Sequence, residues 1–256
     1  MTALPCDDLV AQIAIADVPV LLLDTCTILD VVRAPLLDQL GVHDIEAVHA
    51  LIDRASEASP SVFMVITEQV QQEFREHIEA VETDTRRGIK KVTDGFARIL
   101  KRMQALSLEN HMPSPVDLSS LGFPRIGRCL AEQIVGASLI AADHKDEVEK
   151  AFHRVVRVRP PATRAKQSIK DCVIAENYLR LASTLHAGGF SRNMVFATSN
   201  TKDYQQGHSS LHPELRSEFR SASLEYSSSW SAARHQLDRC RTPLRAPEQP
   251  RPQPDG

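Results

Sequence analysis

No stretch of the 256-residue chain approaches the roughly 18 to 20 unbroken apolar residues that a membrane-spanning helix needs. Met1 to Ala16 carries Asp7 and Asp8 and lacks the basic start and apolar core of a secretory signal, so a cytoplasmic location without membrane contact is expected. Cysteine is scarce: there are five, an odd number with no CxxC pair, which argues against a disulfide framework and against a zinc cluster. Internal repeats are missing. So are GxxxxGK(S/T) and GxGxxG stretches, and nucleotide-binding folds built on a glycine-rich loop therefore have no support. What is present is 42% hydrophobic and 25% charged, the mixture of a folded globule, at a length that suits one large domain or two small ones.

The net charge of -3 hides a split. Residues 86–102 hold Arg86, Arg87, Lys90, Lys91, Arg98, Lys101 and Arg102 against Asp94 alone, and residues 154–170 hold Arg154, Arg157, Arg159, Arg164, Lys166 and Lys170 with no acid. Each stretch is locally +6, which leaves about -15 on the rest of the chain. Such stretches either attract a polyanion such as RNA or form solvated helix faces.

Short apolar runs read as buried strands at Val18 to Leu23, Val62 to Ile66 and Met194 to Thr198, with a fourth at Leu224 to Tyr226. Helical spacing follows at 28–32 and over Asp44 to Ala58, and Thr67 is placed to cap a helix bearing Val70, Phe74 and Ile78. The chain can stay helical from about Glu73 to Leu106, with Gly88 and Gly95 as weak points. An irregular connection is expected over Ser107 to Gly127, one or two helices over 129–153, and a break at Pro160-Pro161. Ser168 and Asp171 suit a capping box opening the helix Ile169 to His186. The alternation predicts an α/β fold with a mostly parallel sheet, whose working site lies at the carboxyl ends of the strands.

Those ends deliver acids. Asp24 follows the first strand, Glu73 lies on the helix after the second, Asp171 opens a later helix, and Asn200 and Asp203 follow the third strand. If gathered, such carboxylates repel one another unless a hard divalent cation sits among them, and oxygen-only ligation favours Mg²⁺ or Mn²⁺. Each also has a plainer role: Asp24 as a helix cap, Asp171 as the partner of Ser168, Glu73 as an i+4 partner of His77, and Asp203 as a turn residue. Cys26 and Cys172 read as small buried hydrophobes without a role.

Four segments in order, Leu21 to Cys26, Thr67 to Phe74, Lys170 to Ala175 and Phe196 to Tyr204, resemble the PIN-domain series over about residues 18–230. The resemblance implies a three-layer α/β/α sandwich with a helical, basic insertion at about 86–165, preceded by an N-terminal extension (1–17) and followed by a proline-rich, disordered tail (231–256). It implies a Mg²⁺- or Mn²⁺-dependent endoribonuclease leaving a 5′-phosphate and a 3′-hydroxyl. Asp24, Glu73, Asp171 and Asp203 would be catalytic, and these four with Asn200 would hold the metal. Glu68 is the fallback for Glu73. Thr25 and Thr198 would support the site, and Arg157, Arg159, Arg164, Lys166, Lys170, Arg86, Arg87, Lys90 and Lys91 would bind RNA.

Many members of that family are toxins of toxin–antitoxin pairs, so a small antitoxin protein and a homodimer are further expected partners. The extra length places this chain in a larger subgroup than the minimal toxins. Two other readings stay open: a PIN-like RNA-binding scaffold that no longer cleaves, suggested by Asn200 where many members carry Asp, and a domain whose task is to hold a partner. A haloacid-dehalogenase-type phosphatase fits poorly, because its second aspartate would fall at Cys26.

Overall fold

The computed structural model describes residues 2–106, 116–163, 168–207 and 210–239. Its strands are β1 (Val20–Leu23), β2 (Phe63–Thr67), β3 (Ser138–Ala141), β4 (Met194–Ala197), a short hairpin of β5 (Gln205–Gln206) and β6 (Ser210–Leu211), and β7 (Leu224–Ser227). β1, β2 and β4 are buried along their whole length, as apolar runs covered on both faces must be. The central sheet runs β3-β2-β1-β4-β7 with every pair parallel, and Leu23 lies in register with Ala197.

Parallel neighbours need crossovers, and α2 (Thr25–Arg33), α3 (Val42–Ser56), α4 (Glu68–Leu106), α5 (Phe123–Ala137), α6 (Lys145–Arg157), α7 (Ile169–Ala187), α8 (Thr201–Tyr204) and α9 (Pro213–Ser221) lie in them, with α1 (Cys6–Ala16) before the first strand and α10 (Trp230–Asp238) after the last. Helices α2, α3, α4, α5 and α10 pack among themselves, while α1, α6 and α9 pack on α7. The fold is thus α/β around a five-stranded parallel sheet, consistent with three layers. Helices cross closely where glycine allows it: a Cβ on Gly127 of α5 would lie 2.9 Å from Val32 Cα of α2, and one on Gly88 of α4 would lie 2.3 Å from Leu36 Cδ1. Gly88 is therefore a packing position, and α4 runs unbroken through it and through Gly95 for 39 residues.

Four expectations are corrected. Residues 129–153 are not wholly helical, because Ser138–Ala141 is edge strand β3, so the region 86–165 supplies part of the sheet itself. The N-terminal residues are built in: α1 buries Leu9 and Ile13, and Leu4 exchanges backbone hydrogen bonds of 2.8 Å with Ile140 and Ala142, covering the exposed edge of β3. The start of the expected tail, 231–238, belongs to α10, where Ser231 donates to Asp44 Oδ1 from its amide (2.9 Å) and its hydroxyl (2.7 Å); residues 240–256 lie outside the described residues. Arg157 and Arg159 alternate in sequence with Val156 and Val158 as they would along an extended segment, but Arg157 ends α6 and Val158 is its left-handed C-cap. The Thr67 cap is as expected, its hydroxyl accepting from Val70 N at 3.1 Å, but the Ser168 hydroxyl makes no cap bond.

Candidate active site

The strand order reverses between β1 and β4, and the crevice beyond their carboxyl ends is where open parallel sheets place ligands. Asp24 stands there, 2% exposed, as the N-cap of α2. Its Oδ1 accepts from Thr25 N at 2.7 Å, so the capping role is real. Its Oδ2 does something else. It accepts from Thr198 Oγ1 at 2.6 Å and Cys26 Sγ at 2.9 Å, the first of these joining the ends of β1 and β4. Thr27 stitches the same two ends: its hydroxyl donates to Ala197 O (3.3 Å) and accepts from Ser199 N (2.9 Å). Burial pushes the Asp24 carboxyl above its ordinary range against the pull of these donors, and the nearby charge of Glu73 adds to the rise.

Glu73 reaches the same place from α4. Its Oε2 accepts from Thr25 Oγ1 at 2.7 Å and its Oε1 from Gln69 Nε2 at 3.0 Å, with Lys170 Nζ 3.9 Å from Oε1. Among the described residues these, rather than His77, are its partners. Glu68 points elsewhere and accepts from the backbone N of Asp143 at 2.9 Å. At the fourth position Asn200 N donates to Thr198 Oγ1 (3.0 Å), while Asn200 Nδ2 donates to Asp203 Oδ2 (2.8 Å).

Asp171 enters from α7, where Tyr204 donates its hydroxyl to the Asp171 carbonyl at 3.2 Å. The Tyr204 hydroxyl is driven far above its usual range by burial first, then by the charges of Asp24 and Asp171. One hydrogen-bonded chain therefore links Glu73, Thr25, Asp24, Thr198, Asn200 and Asp203. Among the described residues, no three His, Cys, Asp or Glu side chains are gathered into a group able to hold a metal ion. The side-chain donors offered by Asp24, Glu73, Asp171, Asn200 and Asp203 are hard oxygens, a chemistry that suits Mg²⁺ or Mn²⁺.

Two features escaped sequence reasoning. Cys26 is a hydrogen-bond donor to Asp24, its thiol held strongly protonated by burial and by that carboxylate. Asp143 follows β3 as Asp24 follows β1, and burial followed by the charge of Glu68 pushes it up to about 6. Asn177 Nδ2 steadies it at 3.3 Å. The signal was available in Leu139-Ile140-Ala141-Ala142-Asp143, a short apolar run ending in an acid.

Part of each basic stretch is engaged within the protein. Arg154 is buried between α6, α7 and α9, donating to Glu176, to Pro160 O (2.7 Å) and to Glu218 (2.7 Å), and Arg159 pairs with Glu214 and Glu218. Arg86 and Arg87 pair along α4 with Glu82 and Asp84, and Lys170 reaches Glu76 at 3.2 Å. Lys90 and Lys91 are exposed, whereas Arg164 and Lys166 lie outside the described residues. A cavity of about 1450 Å³ opens at the opposite end of the sheet, beside Pro19, Asn193 and Leu224, so cavity volume does not lead to the carboxylates. Comparison with protein-family models, curated proteins and solved structures found no match to this chain.

Proposed function

We propose that the protein is a divalent-cation-dependent nuclease of PIN-like type that hydrolyses RNA phosphodiester bonds. One observation carries the reading. A buried strand-end aspartate at the switch point, its proton affinity raised by burial, shares the Thr25 backbone and hydroxyl with a glutamate from a different strand–helix unit. Asp24, Glu73 and Asp171 would hold Mg²⁺ or Mn²⁺, with Asn200 or Asp203 completing the set. When bound, the cation would supply water activation and stabilise the charge that builds on the phosphodiester.

The protein's own groups do the positioning. Thr198 and Cys26 fix the orientation of Asp24 Oδ2, and the Thr25 hydroxyl holds Glu73 toward β1. Lys170, beside Glu73 and Glu76, puts a cation at the mouth where a phosphate would approach. The antitoxin partner and the homodimer rest on the family resemblance alone. A second reading, an RNA- or partner-binding scaffold without cleavage, is favoured by the Asn200–Asp203 hydrogen bond, which already occupies one carboxylate oxygen of the fourth position.

The test is end-labelled RNA incubated with purified protein, with Mn²⁺ and with chelator. Cleavage should require the cation and fall at least about 100-fold in Asp24→Asn, equivalent to about 2.7 kcal/mol of lost transition-state stabilisation. The melting temperature in chelator should hold or rise, because the substitution removes a buried charge. RNA binding without cleavage in every cation tried would replace this reading with the scaffold.

A further inference from the structure

We infer that the distal half of α4 is the docking face for an acidic amphipathic helix carried by a partner chain, an inference independent of the nuclease reading. Along α4 the inward residues Val70, Phe74, Ile78, Val81, Thr85 and Ile89 are buried against the body of the protein. Beyond Ile89 the apolar series continues through Val92, Phe96, Ile99, Met103 and Leu106, in steps of four, three, four and three. These five side chains are 47–88% exposed. At about 100° per residue they fall within an arc of about 80° and extend over about 21 Å of helix.

Alternating three- and four-residue steps are the seam of helix-on-helix packing, which makes the occupant a helix. The edges of the seam specify its charge. Lys91, Arg98 and Arg102 line one edge, about 80° to 120° from the centre of the stripe. None of the three forms an ion pair among the described residues. On the other edge Leu100 is buried against the protein itself. A second copy of this chain would bring its own Lys91, Arg98 and Arg102 toward the same seam, whereas an acidic helix would complement them.

The probe is a synthetic fluorescent peptide of about three heptads, with leucine at the seam positions and glutamate beside them, titrated into the full-length protein. A peptide of the same composition in scrambled order serves as control. Specific binding should weaken at least tenfold in Phe96→Asp/Ile99→Asp. It should also weaken in Arg98→Glu/Arg102→Glu, which should then prefer a peptide carrying lysine in place of glutamate. These side chains are exposed, so melting temperatures should hold; if the apolar variant does not fold, the charge variant decides. Equal binding of the scrambled peptide, no effect of either variant, or a homodimer in light scattering that Phe96→Asp/Ile99→Asp dissolves would each overturn the inference.

Discussion

Two glutamates of helix α4, five residues apart, each lie near an aspartate that follows a different strand. Five residues turn a helix by about 140°, so one helix start serves two places at once. Glu73 turns toward the end of β1, where it shares the Thr25 hydroxyl with the group that caps α2. Glu68 turns toward the end of β3 and accepts from the amide of Asp143. Both aspartates are raised by burial, and in each case the α4 glutamate adds to the rise. The difference lies in the surroundings. Asp24 sits where the strand order reverses and is held by side-chain donors from two strand ends. Asp143 sits beyond an edge strand closed by Leu4, next to Glu147, whose Oε1 is taken by Arg180 at 2.7 Å. An acid raised by burial beside a glutamate thus occurs twice, fully buried at the switch point and half-buried beyond the edge strand.

The sharpest way to break this comparison is to neutralise the two glutamates separately. Glu73→Gln should cost about 100-fold in cation-dependent RNA cleavage, whereas Glu68→Gln should stay within about threefold of the parent. An inactive Glu68→Gln beside an active Glu73→Gln would exchange the roles of the two places. A smaller effect is expected from Thr198→Val, which removes the donor to Asp24 Oδ2 and the acceptor of Asn200 N while keeping the shape. Cleavage should fall about tenfold, the range seen when a ligand loses an orienting partner. The pH at which activity rises should shift with it, a change that loss of packing alone would not produce.

The smallest effect is thermal. Because the folded-state value of Asp143 lies above its ordinary one, the stability it lends is present at pH 4 and below and is lost as pH rises through about 6. Asp143→Asn, which keeps an oxygen for Asn177, should therefore melt about 2 to 4 °C higher than the parent at pH 8 and show no gain at pH 4. Differential scanning calorimetry at the two pH values checks this. A gain confined to low pH would reverse the sign and the account.

The central strands were legible because their residues are apolar throughout, a pattern that burial on both faces demands, and the polar turns after them follow from the parallel topology. The edge strand β3 was not. Its four residues follow a 15-residue amphipathic helix without a proline or a turn signal between them, and a short apolar run beside a helix reads as more helix. Missing β3 hid Asp143. Helical geometry alone separates Glu73 from Glu68, but the sequence contains nothing to say that Glu68 would lie near an aspartate of its own. The ion pairs of the second basic stretch were hidden for a different reason. Formal counts along the chain cannot register Glu214 and Glu218, which come from α9 to meet Arg154 and Arg159.

Arg154 acts as an internal brace. Only 4% exposed, it ties α6 to Glu176 on α7, a little more than one turn beyond Asp171, and to Glu218 on α9. The helix that carries Asp171 is thus tied from behind, through Glu176, to a largely buried cation. Its removal would strand two carboxylates rather than weaken a grip on a ligand, and a screen for RNA contacts that mutates arginines one by one would score it as a hit for the wrong reason. Refolding yield, rather than binding, is the measurement that would expose the mistake.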